Sequence, residues 1–445
     1  MRLNRRHLIT VAAAATALPA AAAPLSKFGL DAGTVGVRPG AADDQSRALQ
    51  RAIDKAARAH IPLVLAPGIY LCGDLNLPAG ARLIGVRGAT RLRFTHGRSL
   101  LAAEHAETVS LEGLTLDGNR QTIPDGRGLA HLSDVQELRI DACEVIDAGG
   151  NGVLLDACAG EVTHTAITKA GDTALFSRDG RGLMIAGNII RGSGNGGIRV
   201  WQSEKRADGS IVADNRIEDT GARSGGTGQN GNAINIFRAG NVVVRNNYIR
   251  GAAFSAIRGN SASNIQILGN NCSALDEVAI YSEFGFQGAI IADNIVDGAG
   301  IGISVTNFNE GGRLATVRGN IIRNVAARRP GTPPEDEGIG ISVEADTAVN
   351  GNVIENAANT GISAGWGSYM RDIAITGNIV RVADYGIALS VTAGAGSAVV
   401  TGNMIASTRR GAIVGVEFRK AVTGDLARGG QNPYSQLKIA DNQVS

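Results

Sequence analysis

The sequence predicts an all-β solenoid, a parallel β-helix of coils about 23–27 residues long, closed at its N-terminal end by a helix. Three observations predict it. A short motif of apolar residues, Gly or Asp, Asn and further apolar residues recurs ten times at nearly even steps. A Gly-Ile or Ala-Ile motif with alternating apolar positions follows most copies, and the composition hardly changes from residue 110 to the end.

Residues 1–23, "MRLNRRHLITVAAAATALPAAAA", have a basic start, an Ala-rich apolar stretch and a small-residue run, the layout of an export signal. Arg5 and Arg6 make it resemble a twin-arginine (Tat) signal, which implies passage through the Tat translocase and a periplasmic or secreted location. An ordinary secretory signal with a chance arginine pair is the alternative. Removing the signal takes away Arg2, Arg5 and Arg6 and moves the formal charge from +2 to −1. A near-neutral mature chain gives no electrostatic case for nucleic acid as a partner. Beyond the signal no apolar run approaches the roughly 20 residues of a membrane span.

Residues 24–110 form the expected cap and first strands. In "AADDQSRALQRAIDKAARAH" (41–60), Leu49, Ile53 and Ala56 share one helical face, with Asp43 or Asp44 as the N-cap. "IPLVLAPGIYLCGDLNLPAGARLIGV" (61–86) then reads as short strands broken by Pro-Gly turns. An open solenoid exposes its last apolar layer, and the helix is the candidate to cover it.

Residues 111–445 form the solenoid proper. The marked Asn residues are 188, 215, 247, 270, 294, 320, 352, 378, 403 and 442, in copies such as "IAGNII" (185–190) and "ITGNIV" (375–380). Each copy translates as strand, turn, strand. Asn is expected to take the left-handed backbone angles of the turn and to bond its neighbours above and below. "IGISVT" (301–306) and "IGISVE" (339–344) show the period of two of a strand with one buried face. In the degenerate rung "LRIDACEVIDAGGNGVLL" (138–155), Cys143 takes the Asn place, as a structural residue would. Cys72, Cys143, Cys158 and Cys272 show no zinc spacing; a Cys143–Cys158 disulfide is conceivable, but buried free thiols are the preferred reading.

With Ile pointing inward, the outward positions of the Gly-Ile strands form two columns. The first reads Leu154, Phe176, Arg199, Asn235, Arg258, Tyr281, Ser304, Ser342, Ser363 and Ala388. The second reads Asp156, Arg178, Trp201, Phe237, Asn260, Glu283, Thr306, Glu344, Gly365 and Ser390. Aromatic, cationic and polar residues concentrate between 176 and 283, a mixture suited to the apolar faces and hydroxyls of sugars. Arg258, Tyr281 and Glu283 are the candidate catalytic residues, a uronate clamp with Glu283 as general acid or base. Arg178, Arg199, Trp201, Asn235, Phe237, Asn260 and Glu344 are the candidate substrate-binding residues. Insertions at 202–210, 220–231, 327–338, 366–372 and 420–436 flank these strands and are expected to wall a groove.

The order of an Asp-Asp-containing helix, a Pro/Gly/Tyr turn and Asn-marked rungs resembles the pectate-lyase-type (pectin-lyase-fold) right-handed parallel β-helix superfamily over the whole mature chain. With the twin-arginine start it is most similar to the Tat-translocated repetitive proteins. The resemblance implies a right-handed coil and a polysaccharide partner, with lyase or epimerase action on a uronate-containing glycan; no cofactor is expected, calcium being common among relatives but without a visible site here. The "NTD", "GHG" and "RIK" set of polygalacturonases and the "DPH" motif of mannuronan epimerases are missing. The rival expectation is a non-catalytic cell-envelope structural or adhesion repeat protein.

Overall fold

The computed structural model describes residues 28–445 except 125, 227, 330–331 and 429–431, so the expected export signal with Arg5 and Arg6 lies outside the described residues. The chain winds through about 13 turns of a parallel β-solenoid. Each typical turn contributes one strand to each of three stacked sheets. Sheet 1 holds the Gly-Ile strands, sheet 2 the strands that enter the asparagine turn, and sheet 3 those that leave it. Among the described residues every ladder is parallel except a short hairpin pairing Val416 with Ala421.

Alternation of side chains drives this arrangement. Inward positions stack like on like from rung to rung. In sheet 1 the stack runs Ile198, Ile234, Ile257, Ile280, Ile303, Ile341, Ile362 and Ile387, each pairing with the next. Sheet 3 stacks Ile249, Cys272, Val296, Ile322, Ile354 and Val380. All of these are buried, and each large aliphatic side chain so buried contributes about 1.5–3 kcal/mol. The glycine before the inward Ile has a steric cause: a Cβ at Gly340 would lie 2.5 Å from the Gly361 carbonyl oxygen and 2.7 Å from Ile354 Cγ2. Sheet 3 presses that closely on the sheet 1 backbone.

The asparagines stack at the turn between sheets 2 and 3, but the left-handed residue is the one before each of them. Gly187, Asp214, Asn246, Gly269 and Asp293 have φ between 56° and 66°, whereas the marked Asn residues are not in the left-handed region. The marked amides are instead buried and bonded. The Oδ1 of Asn320 accepts from the backbone N–H (3.0 Å) and Nδ2 (2.9 Å) of Asn294, and its own Nδ2 donates to Asn352 Oδ1 at 2.9 Å. The ladder extends upstream of the asparagines: Thr165 N–H donates to Asn188 Oδ1, and Cys143 N–H to Thr165 Oγ1. Cys143 thus stands where the ladder amide is expected. All four cysteines are buried free thiols.

The N-terminal helix α1 spans Ser46–Arg58 and buries Leu49, Ala52, Ile53, Ala56 and Ala57. Its N-cap is Gln45, with no side-chain capping bond, rather than Asp43 or Asp44; Asp44 bonds the Ser46 N–H and hydroxyl at the entry. The helix also closes the open edge of the first coil. Gln50 exchanges two 2.8 Å bonds with the Asn76 backbone, and Gly73 N–H donates to Ser46 Oγ. Unpaired strand edges invite further strands, and these side chains satisfy that edge. Stacking begins well before residue 111, since Leu63–Val64 already pairs with Leu83–Ile84.

Candidate functional site

The outward face of sheet 1 carries both expected columns. Phe176 pairs with Arg199, Arg199 with Asn235, Asn235 with Arg258 and Arg258 with Tyr281. Beside them Arg178 pairs with Trp201, Trp201 with Phe237, Phe237 with Asn260 and Asn260 with Glu283. The face therefore brings these residues together on successive rungs.

Its N-terminal half is an aromatic strip. Trp201 lies edge-on to both Phe176 and Phe237, with ring centroids 5.1 Å and 5.6 Å apart. All three are half-buried. The Trp201 indole N–H donates to Asn235 Oδ1 (2.9 Å), and the Asn235 amide donates to the Gly228 carbonyl (2.7 Å), so the insertion 220–231 holds the strip in place. Arg199 was expected to face a ligand. It is instead 6% exposed, stacked 5.1 Å from the Trp201 ring and bonded to Asn230 Oδ1 of the same insertion. Burial pushes its guanidinium below the usual arginine value. Arg199 supports the aromatic strip from beneath.

One end of the strip is charged. Arg178 is exposed and holds Asp156 by two bonds of 2.7 and 2.9 Å. Asp156 also accepts from His131 Nε2 (2.9 Å), whose Nδ1 faces the Arg127 guanidinium at 2.8 Å. That arrangement assigns His131 the tautomer with its proton on Nε2. Burial pushes the Asp156 carboxyl up, but the bonds from His131 and Arg178 outweigh it and leave it below the usual range.

The expected catalytic trio is a closed ion-pair cluster. Arg258 grips Glu283 through Nε–Oε1 at 2.6 Å and Nη2–Oε2 at 2.9 Å, and Asn260 donates to Glu283 Oε1 at 3.0 Å. Arg258 is 8% exposed and Glu283 1%. A second carboxylate, Glu277, takes Arg258 Nη1 at 3.2 Å and is itself clamped by Arg329 at 2.7 Å from the insertion 327–338. Glu283 is therefore not the free general acid or base the sequence suggested: both its oxygens are occupied and it has almost no access to the groove. Tyr281 lies under the guanidinium, 4.9 Å from ring centre to Arg258 Cζ. Burial, then the Glu283 charge, pushes its hydroxyl up to about 12. Such a phenol stays protonated at neutral pH.

Glu344 belongs to the same column three coils above Asn260 but is separate from this cluster. It is 9% exposed, accepts the Phe308 N–H at 2.7 Å, and burial pushes its carboxyl up. Sequence reasoning passed over Glu277, Arg329 and Arg127, and read His131 only as one of several scattered surface or core histidines without ligand spacing. Glu277 immediately precedes the sheet 1 strand Val278–Glu283, the place where insertions enter before other strands of this face, and this was the available signal. Among the described residues no group of three or more His, Cys, Asp or Glu is placed to hold a metal ion, and no helix is long and apolar enough to cross a membrane.

Comparison with known proteins gives the coil its hand. The model of a family described as "Right handed beta helix region" matches residues 151–311 and 223–380, together just over half of the chain. No curated protein matches the sequence. Among solved structures, the N-terminal fragment of gene product 12 of bacteriophage phi29 is 15% identical with a TM-score of 0.55, covering 95% of this chain and 71% of that one. ORF18 of Geobacillus virus E2 is 13% identical with a TM-score of 0.51 over 73% of this chain and 62% of its own. The A-module of an Azotobacter vinelandii mannuronan C-5 epimerase is 14% identical with a TM-score of 0.46, covering 94% of this chain and 99% of that module. At these identities the likeness is one of fold.

Proposed function

This chain belongs to the right-handed β-helix family, and on that premise we propose that it is an exported protein that binds a polysaccharide along the outward face of sheet 1. The observation that carries the reading is the strip of Phe176, Trp201 and Phe237, half-buried aromatic edges on three consecutive rungs. Sugar rings present apolar C–H faces to such surfaces and hydroxyls to the polar groups beside them. Arg178 and Asn260 supply those polar groups at either end. Arg199, Asn235, Arg258, Glu283 and Glu277 act as the rigid bed, since preorganised side chains lose little freedom on binding.

Lyase or epimerase action requires a base free to remove a carbon-bound proton. Tyr281, held up to about 12, and Glu283, bonded on both oxygens, do not suit that task. Binding is the better-supported reading, and a cell-envelope adhesion role falls within it. Export by the Tat translocase is part of the proposal, with Arg5 and Arg6 as its signal; no cofactor is assigned.

The test is a screen of neutral and anionic polysaccharides by affinity electrophoresis, with the Trp201→Ala/Phe237→Ala double variant in parallel. At least one polysaccharide should retard the parent and lose its grip on the variant. Equal retardation of both proteins, or none of the parent by any polysaccharide, refutes the site. The same polysaccharides incubated with parent and Tyr281→Ala should yield no unsaturated products; their appearance with the parent alone restores the lyase reading. Conversion of Arg5 and Arg6 to Lys should leave the protein in the cytoplasm.

A further inference from the structure

The last coils of sheet 1 carry a second concavity that the aromatic strip does not reach. It is an open pocket of about 490 Å3 lined by Asp336, Trp366, Phe418 and Arg419, with Glu335, Glu417 and Lys420 at its rim. Trp366 directly follows Gly365 at the end of a sheet 1 strand and begins a tight turn closed by reciprocal backbone bonds with Tyr369, 3.1 and 3.0 Å. Gly367, with φ at 58°, has no Cβ to block the Phe418 ring, which would meet one at 2.8 Å. Phe418 therefore crosses the turn edge-on to Trp366, with centroids 5.2 Å apart. It remains 51% exposed and adopts a left-handed φ of 56°, unfavourable for an aromatic residue. The fold holds an exposed ring in a costly conformation, facing a pocket.

The polar side of the pocket is incompletely bonded. Arg419 lies 4.7 Å from the Trp366 ring and donates through Nη1 to Ser363 Oγ at 3.0 Å. Its Nε has no hydrogen-bond partner among the described residues, and Asp336 Oδ1, at 3.8 Å, is beyond bonding reach. A buried donor left unpaired is unfavourable by about 1–3 kcal/mol, so a small rearrangement that gives this guanidinium an acceptor is favoured. Three carboxylates line or rim the pocket against two cations. An anionic ligand meets like charge there, whereas neighbouring hydroxyls can accept from Arg419 or Lys420 and donate to Asp336. Aromatic edges, mixed donors and acceptors, and a volume in the small-ligand range together fit a sugar ring.

We propose that this pocket is a subsite for a single neutral pyranose unit, distinct from the aromatic strip. Only the choice of sugar over other polyols rests on the polysaccharide reading. The chain has two tryptophans, Trp201 in the strip and Trp366 in the pocket, so each site has its own fluorescent reporter. In Trp201→Phe protein the emission comes from Trp366. Titration with methyl α-glucoside, methyl α-mannoside, methyl β-galactoside and galacturonic acid should give a saturable shift with at least one neutral glycoside. Affinity for it should fall about tenfold or more in both Arg419→Lys and Asp336→Asn, each removing one charged hydrogen bond, while their melting temperatures stay at the parent value. No shift with any neutral glycoside, equal or tighter binding of galacturonic acid, or unchanged affinity in Asp336→Asn overturns the proposal. Trp366→Phe protein, in which Trp201 reports, separates that failure from failure of the strip.

Discussion

Replacing Asn320 with alanine tests whether the asparagine ladder holds the coils in register. Asn320 is fully buried. Its Oδ1 satisfies the Asn294 N–H and one Asn294 amide proton; its Nδ2 reaches Asn352 Oδ1 and the carbonyls of Ile291 and Arg318, both at 3.1 Å. Alanine removes all five bonds. The Asn352 Oδ1 keeps the residue 320 backbone N–H as a donor, and the Asn294 amide keeps the Ile267 carbonyl. The Asn294 N–H is then the group left without a partner in a dry interior, and that alone is unfavourable by about 1–3 kcal/mol. With the net value of the other bonds, the expected loss is about 2–4 kcal/mol. Asn350, whose amide bonds Thr376 Oγ1 on the exposed surface and whose backbone is not left-handed, should lose less than about 0.5 kcal/mol as Asn350→Ala. Urea unfolding gives both values, and amide exchange at Asn294 locates the first. A loss below about 0.5 kcal/mol in Asn320→Ala, with Asn294 protection unchanged, refutes the reasoning.

Glu283→Ala leaves the Arg258 guanidinium buried beside a single partner and should destabilise by about 3–5 kcal/mol in urea, whereas Arg258→Met/Glu283→Leu should recover much of that loss. Acid should destabilise the coil. Bonds from Arg216 and then Arg191 hold Glu218 down at about 2, and at Asp141 the bonds from His164, Thr163 and Arg139 overcome an upward push from burial to reach about 2. Both values lie below those of the unfolded chain, so their stabilisation is present above about pH 4 and is lost as pH falls towards about 2. The urea midpoint should fall over that window, and Glu218→Gln should flatten the fall. All four thiols are buried, and burial raises Cys143 and Cys158 to about 11 and Cys272 to about 12. A thiol-titrating disulfide reagent should therefore find none of them in the native protein and all four in denaturant; two in denaturant contradicts the free-thiol state.

The coil and its columns were legible in the sequence because both rest on simple periods. A side-chain period of two, repeated at nearly constant spacing, places Phe176, Arg199, Asn235, Arg258 and Tyr281 in one line without knowledge of the loops. The left-handed position was legible too, but at the residue before the asparagine, where Gly187, Asp214, Asn246 and Gly269 show the tolerant residue types side by side. The amide at the next position is chosen for its hydrogen bonds, and the two roles are adjacent in every copy.

Burial of the charged residues was not legible. Whether an outward Arg faces water depends on which insertion folds over it, and insertions carry no period. Arg199 is covered because Asn230 reaches back to it, and Arg258 is neutralised because Glu277 and Glu283 meet it from the next coil. Stacking turned carboxylates about 19 and 25 residues downstream into contacts, and only the three-dimensional register reveals that. Trp366 was missed for a related reason. It lies one residue past the second column, so the alternation that found Trp201 skipped over it.

Hydroxyl-radical footprinting of the protein, alone and with its most tightly bound polysaccharide, addresses the ligand-binding face most directly because it reads side-chain exposure on all three sheets at once. Binding along sheet 1 predicts that Trp201 and Phe237 lose reactivity together while Tyr248 and Met404, outward on sheet 3, keep theirs. Protection of Tyr248 and Met404 with Trp201 and Phe237 unaltered contradicts it.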